Sequence, residues 1–195
     1  MGLEFQNKKT KQYEIPPEGG AVGRLYQIID LGTQVTSYMG ETKLVPQVML
    51  KFELPNELTS DGQPMSINAI YTRSMNEKAK LRSIAKVLMG RKIEDKEVQS
   101  FSLSELLGKV ATVDIINKVG KDGTKKAFVQ GIGAVPKGIP VSEPHNPQAI
   151  FNLSKFDQAF FDTLPKYWQD KIRTTSEYQS LGLEPRVDAT QGVPF

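Results

Sequence analysis

The chain has 195 residues, 38% of them hydrophobic and 24% charged, the size and balance of one globular domain with appended segments and not of two large domains. It has no cysteine and a single histidine, His145, which excludes a disulfide framework, a thiolate metal site, a cysteine nucleophile and a multi-histidine metal centre. Net charge is +3 and unevenly spread: residues 1–20 carry 3 Lys against 3 Glu, residues 21–140 carry 17 Lys+Arg against 12 Asp+Glu, and residues 141–195 carry 5 against 7. A basic body with a mildly acidic tail suits a polyanion binder whose tail stays off the polyanion.

Residues 1–20 are polar and end in Ile15-Pro16-Pro17-Glu18-Gly19-Gly20, which stops any regular element. The expectation is a flexible arm. Neither a secretory signal nor a run of roughly 18 to 20 apolar residues is found, and Gln6 stands where a myristoylation motif needs Ser or Thr. A soluble, intracellular protein is expected.

From Ala21 the chain becomes strand-like. Residues 23–38 are rich in Tyr, Ile, Val and Thr, with Gly32 where a bulge or sharp bend would sit. Residues 43–54 alternate Val48, Leu50, Phe52 and Leu54 against Gln47, Met49, Lys51 and Glu53, and Pro46 is tolerable there only at a strand start or edge. Residues 65–73 place Ile67, Ala69 and Tyr71 on one face of a third strand. The period then changes: residues 74–88 carry Leu81, Ile84, Ala85 and Leu88 at helical spacing, with Ser74 or Asn76 as N-cap and Gly90 as stop. Ser102 with Glu105 spells a capping box for a short helical turn.

Residues 109–119 and 124–135 are two further β runs joined by the hairpin signal Gly120-Lys121-Asp122-Gly123. The order β-β-β-α-β-β is that of the OB-fold, a five-stranded Greek-key barrel with a helix between its third and fourth strands, so a mainly β domain over residues 21–138 is expected by fold analogy. Residues 139–183 follow as an appendage: the end of a proline-rich strap (136–147), then two short helices carrying Phe156, Phe160, Phe161, Tyr167 and Trp168 as packing residues. Residues 184–195 have no apolar period and read as a flexible tail.

Catalytic constellations are sparse. Neither Gly108-Lys109 nor Gly120-Lys121 completes a phosphate loop, and Gly131-Ile132-Gly133 lies in a strand, where it serves strand bending. Asp30 and Asp114 could face each other, but no third acid or histidine joins them at motif spacing. No catalytic residue, metal or cofactor is assigned.

The informative pattern is cations interleaved with aromatics: Arg24 with Tyr26, Tyr38 with Lys43, Lys51 with Phe52, Tyr71 with Arg73, and Lys118, Lys121, Lys125 and Lys126 with Phe128. Single strands are bound by rings that stack bases and cations that follow phosphates. Parity assigns Phe52 to the core face and puts Tyr71 beside Ile67 and Ala69, so either ring also fits a core. The predicted binding set is therefore Arg24, Tyr26, Tyr38, Lys43, Lys51, Tyr71, Arg73, Lys118, Lys121, Lys125, Lys126 and Phe128.

With this element order, the opening run Arg24-Leu25-Tyr26-Gln27-Ile28-Ile29-Asp30-Leu31-Gly32-Thr33-Gln34 and the closing Val135-Pro136-Lys137-Gly138 resemble phage and prophage OB-fold single-stranded DNA-binding proteins over about 60% of the chain. The terminal Val193-Pro194-Phe195 is similar to the isoleucine-proline-phenylalanine tip of bacterial members, although Ala189-Thr190-Gln191-Gly192 replaces the aspartates expected before it. The resemblance implies sequence-independent binding of single-stranded DNA in replication or recombination, without chemistry on it, in the cytoplasm of a bacterial host. It also implies docking of partner proteins on the tip and allows a homo-oligomer. A tail that competes with DNA for the groove would follow from the opposite charge. Two rival classes are a phage structural or assembly protein using the barrel and its aromatic C-terminal helices for protein contacts, and a metal-dependent enzyme built on Asp30 and Asp114.

Overall fold

The computed structural model describes residues 14–38, 40–121 and 123–183. Strand β1 (Gly19–Tyr38) is the spine, and its two bulges set its course. It pairs antiparallel with β2 (Glu41–Leu58), and the register skips Tyr26 and Leu31. At the second bulge Gly32 has φ +68°, and its N–H donates to Asp30 Oδ1 at 3.1 Å. A Cβ on Gly32 would stand 2.9 Å from Thr175 Cγ2 and 3.0 Å from Leu153 Cδ1. Glycine is needed there for its backbone and for the close approach of the C-terminal segment.

Strand β3 (Pro64–Thr72) pairs with β2, and Arg73 N donates to Pro46 O at 2.8 Å. The carbonyl of Pro46, and the side where its missing N–H would point, therefore face the end of β3, the edge position at which a strand proline is tolerated. Helix α1 (Lys80–Met89) buries Leu81, Ile84, Ala85 and Leu88 and ends at Gly90, φ +66°. It starts later than the sequence predicts. Ser74 Oγ accepts from Asn76 N and Asn76 O accepts from Ala79 N, so both cap candidates sit in turns and Ala79 precedes the helix without a side-chain cap. The Ser102–Glu105 capping box is present and opens a 3-10 turn at Leu103–Leu106.

Strands β4 (Val110–Val119) and β5 (Lys125–Gly133) form a further hairpin, and β4 pairs with the first part of β1. The sheet order is β3-β2-β1-β4-β5. A short sixth strand, β6 (Ala149–Phe151), pairs parallel with Gln27–Ile29 of β1, so the sheet has six strands where five are expected. Nor is it closed by hydrogen bonds: β3 and β5 are its two ends, and they approach one another across a cleft with side chains from both strands between them. The ladder skips Gln130, beside Gly131, so β5 is bulged where glycine predicts a bend.

Both faces of the central strands are buried. One carries Leu25, Ile28, Val48, Leu50, Phe52 and Leu54 against α1. The other carries Ile29, Leu31 and Met49, covered by Phe151, Leu153, Phe161, Leu164 and Ile172 of the C-terminal segment. That segment contains α2 (Gln158–Thr163), α3 (Lys166–Arg173) and α4 (Ser176–Gln179). Of the predicted aromatic cluster, Phe156, Phe160, Phe161 and Trp168 pack on this face, with Phe151 and Phe161 fully buried, whereas Tyr167 is exposed. Its consequence for β2 differs from the expectation: Met49 and Glu53, on the strand's polar side by alternation, are buried because the strap and helices cover that side. Among the described residues no helix is long and apolar enough to cross a membrane.

Candidate functional site

The cleft between β3 and β5 gathers part of the predicted set. Two cavities meet there, of about 630 and 650 Å³, and they share Asn68, Lys126 and Phe128. The first is lined by Asn68–Tyr71 of β3, by Lys126, Phe128 and Val129 of β5, and by Tyr167 and Trp168 of α3. The second adds Lys51, Lys125, Thr124 and Pro165, with Ile15 and Pro16 at its rim. Among the described residues no carboxylate lines either one.

The local sequence explains the charge. In the β4–β5 register Lys118 stands opposite Lys126 and Val119 opposite Lys125. Like charges directly across a ladder repel, so the hairpin holds positive potential that an anion would relieve. Lys118 Nζ lies 5.8 Å from the centroid of Phe128, which is 45% exposed, and Lys51 Nζ lies 5.4 Å from the centroid of Tyr26. Among the described residues Lys51, Lys118, Lys125 and Lys126 make no ion pair. Lys121 is exposed on the turn that joins β4 to β5.

Other members of the predicted set lie elsewhere. Arg24 is half-buried against the buried Glu53 (Nη1–Oε1 3.2 Å) and donates to Ser142 O at 2.7 Å. Glu53 also accepts from Asn146 N at 2.8 Å, Asn146 Nδ2 at 2.9 Å and His145 N at 3.3 Å. Burial works to raise its pKa, but the hydrogen bonds from Asn146, His145 and Arg24 outweigh burial and hold the carboxyl below its ordinary range. This knot fastens the strap to the sheet. Arg73 pairs with Asp30 at 2.7 Å, and Lys43 pairs with Glu41 at 2.9 Å near the β1–β2 turn. Tyr26 is buried beneath Lys51. Tyr71 lines the cleft from a half-buried position, and burial pushes its hydroxyl up to about 12. The Tyr38 side chain and Val193, Pro194 and Phe195 lie outside the described residues.

Asp30 and Asp114 do not face each other. Asp30 is opposite Val48 on β2, whereas Asp114 is opposite Gly20, ten residues back along β1. Among the described residues no group of three or more His, Cys, Asp or Glu could hold a metal ion. The sequence reading missed the cleft's other wall, Tyr167 and Trp168, by assigning all the C-terminal aromatics to packing. One signal was available: Trp168 shares a helical face with Ile172 at i, i+4, whereas Tyr167 falls off that face.

Comparison with known protein families and with curated protein sequences finds no match.

Proposed function

We propose that the chain binds single-stranded DNA without sequence preference, along the β3–β5 cleft, and performs no chemistry on it. The observation that carries this reading is a cleft lined by Lys51, Lys125 and Lys126, with Lys118 beside the exposed Phe128, in which among the described residues these lysines make no ion pair and no carboxylate joins the lining. Cations give affinity by displacing counterions from phosphates, and exposed rings add base stacking of roughly 1 to 3 kcal/mol per base. Support for an OB-type barrel as the frame comes from the order β3-β2-β1-β4-β5, with β1 shared between both halves and the helix between β3 and β4, opened at the β3–β5 seam. A role in phage replication or recombination within a bacterial cytoplasm, with partner proteins docking on Val193-Pro194-Phe195, belongs to the same proposal.

The test is a fluorescence-anisotropy titration with labelled oligothymidine at low and moderate salt, with duplex of equal length as competitor. Salt-sensitive binding that prefers the single strand is expected. Absence of binding at low salt overturns the reading.

A second reading, an assembly protein, rests on a different surface. Val35 and Leu44 are cross-strand partners near the end of the β1–β2 hairpin, 67% and 71% exposed, where β3 no longer pairs with β2. An apolar pair so exposed suits contact with protein, a second copy included. Light scattering of the protein and of Val35→Lys with Leu44→Lys tests it: an oligomer that the double variant dissolves supports it, and a monomeric wild type removes it.

A further inference from the structure

The cleft has two walls of different chemistry. Asn68, Ile70, Lys126 and Phe128 come from the sheet, and Tyr167 with Trp168 comes from α3, outside it. The two rings of α3 meet edge to face, centroids 4.8 Å apart at 77°. Trp168 packs partly on the second core, but Tyr167 is 60% exposed and reaches none of that core. Lys171 Nζ lies 5.8 Å from its centroid. An exposed ring fixed by a neighbouring ring and flanked by a cation is prepared for a flat, anionic guest. On the sheet side the Asn68 amide has no hydrogen-bond partner among the described residues, so donor and acceptor are both free.

We propose that the space between Phe128 and the Tyr167–Trp168 pair is a slot for one unpaired nucleobase, with Lys126 on the adjoining phosphate and Asn68 at the base edge. This rests on the cleft being the strand-binding site and adds what selects single strands. The cavity of about 630 Å³ lies within the roughly 300 to 1,000 Å³ of small-molecule sites. A base inside a duplex has both faces covered by its neighbours and does not enter. The lysines hold phosphates of either form of DNA; the slot admits only the single strand. The C-terminal helices are thus part of the binding surface as well as a cover for the sheet.

The full-length protein is titrated with oligothymidine, an abasic strand of equal length and duplex, following anisotropy together with emission from Trp168, the single tryptophan. Trp168 emission is expected to change in step with oligothymidine binding and not with the abasic strand. Tyr167→Ala, an exposed change that leaves circular dichroism intact, is expected to weaken oligothymidine about 5- to 100-fold and leave the abasic strand and duplex unaltered. Lys126→Ala is expected to weaken all three. If Tyr167→Ala binds oligothymidine like wild type, or weakens all three ligands alike, the slot is overturned and the lysine-lined cleft stands. If the wild type binds none of the three, both fall.

Discussion

Two groups of cations stand on this sheet, and their surroundings separate them. Arg24 and Arg73 lie beside carboxylates, Glu53 and Asp30, in pairs that fasten the fold. Lys51, Lys118, Lys125 and Lys126 lie along or beside the β3–β5 cleft, with no acid among the described residues of its lining. Sequence gives both groups the same look, a cation next to an aromatic. What differs is whether the fold delivers a carboxylate, and that depends on residues far away in the chain: the strap reaches Glu53 from more than 90 positions on. A satisfied cation is architecture; an unsatisfied one is available to a ligand.

The sharpest way to break this contrast is at its architectural end. Glu53→Ala leaves the half-buried Arg24 without its partner and releases the strap, and a loss of about 3 to 5 kcal/mol is expected, measured by urea denaturation; a loss below about 1 kcal/mol would mean that the knot is incidental. Gly32→Ala forces a side chain into φ +68° and against Thr175 and Leu153. About 1 to 3 kcal/mol is expected, and an unchanged melting temperature would contradict the close packing of the C-terminal layer.

Acid should act on the same side of the molecule. Burial works to raise the pKa of Glu177, but hydrogen bonds led by the Thr33 hydroxyl hold it below its ordinary range, and Glu53 is likewise lowered. A carboxyl lowered in the folded state stabilises it fully above the unfolded value, about 4.3, and this stability is lost as pH falls through the folded value. Below about pH 4 the strap and the α4 contact with β1 should therefore loosen, seen as a change in Trp168 emission before far-UV circular dichroism changes. Identical acid profiles for the two signals would count against it. The smallest effect is expected at Lys43→Ala, whose pair with Glu41 is exposed: less than about 1 kcal/mol in stability, with a larger loss showing that the hairpin end is not solvated.

The element order, the β4–β5 hairpin and the core stripe of α1 were legible because each is written in local periodicity or turn chemistry. The capping box at Ser102 and the bulge at Gly32 were legible for the same reason. What local pattern does not carry is the second layer. Met49 and Glu53 obey the alternation of an exposed face, and only the arrival of Phe151, Phe161 and Asn146 buries them. The sixth strand escaped because three residues, Ala149–Phe151, give no period to read. Of the candidate site, Lys51, Lys125, Lys126 and Phe128 came from charge and aromatic spacing, and Lys118 stands beside Phe128. Arg24 and Arg73 carried the same signal but belong to ion pairs, and Tyr167 was hidden among true packing aromatics.

The most direct measurement is the slope of log affinity for oligothymidine against log salt, for wild type, for Lys51→Ala/Lys125→Ala/Lys126→Ala and for Arg73→Ala. With each phosphate contact adding about 0.7 to the slope for a single strand, the triple variant should lose about 2 in slope and Arg73→Ala nothing. An unchanged slope in the triple variant, or an equal loss at Arg73, would mean that the free cations of the cleft are not what holds the strand.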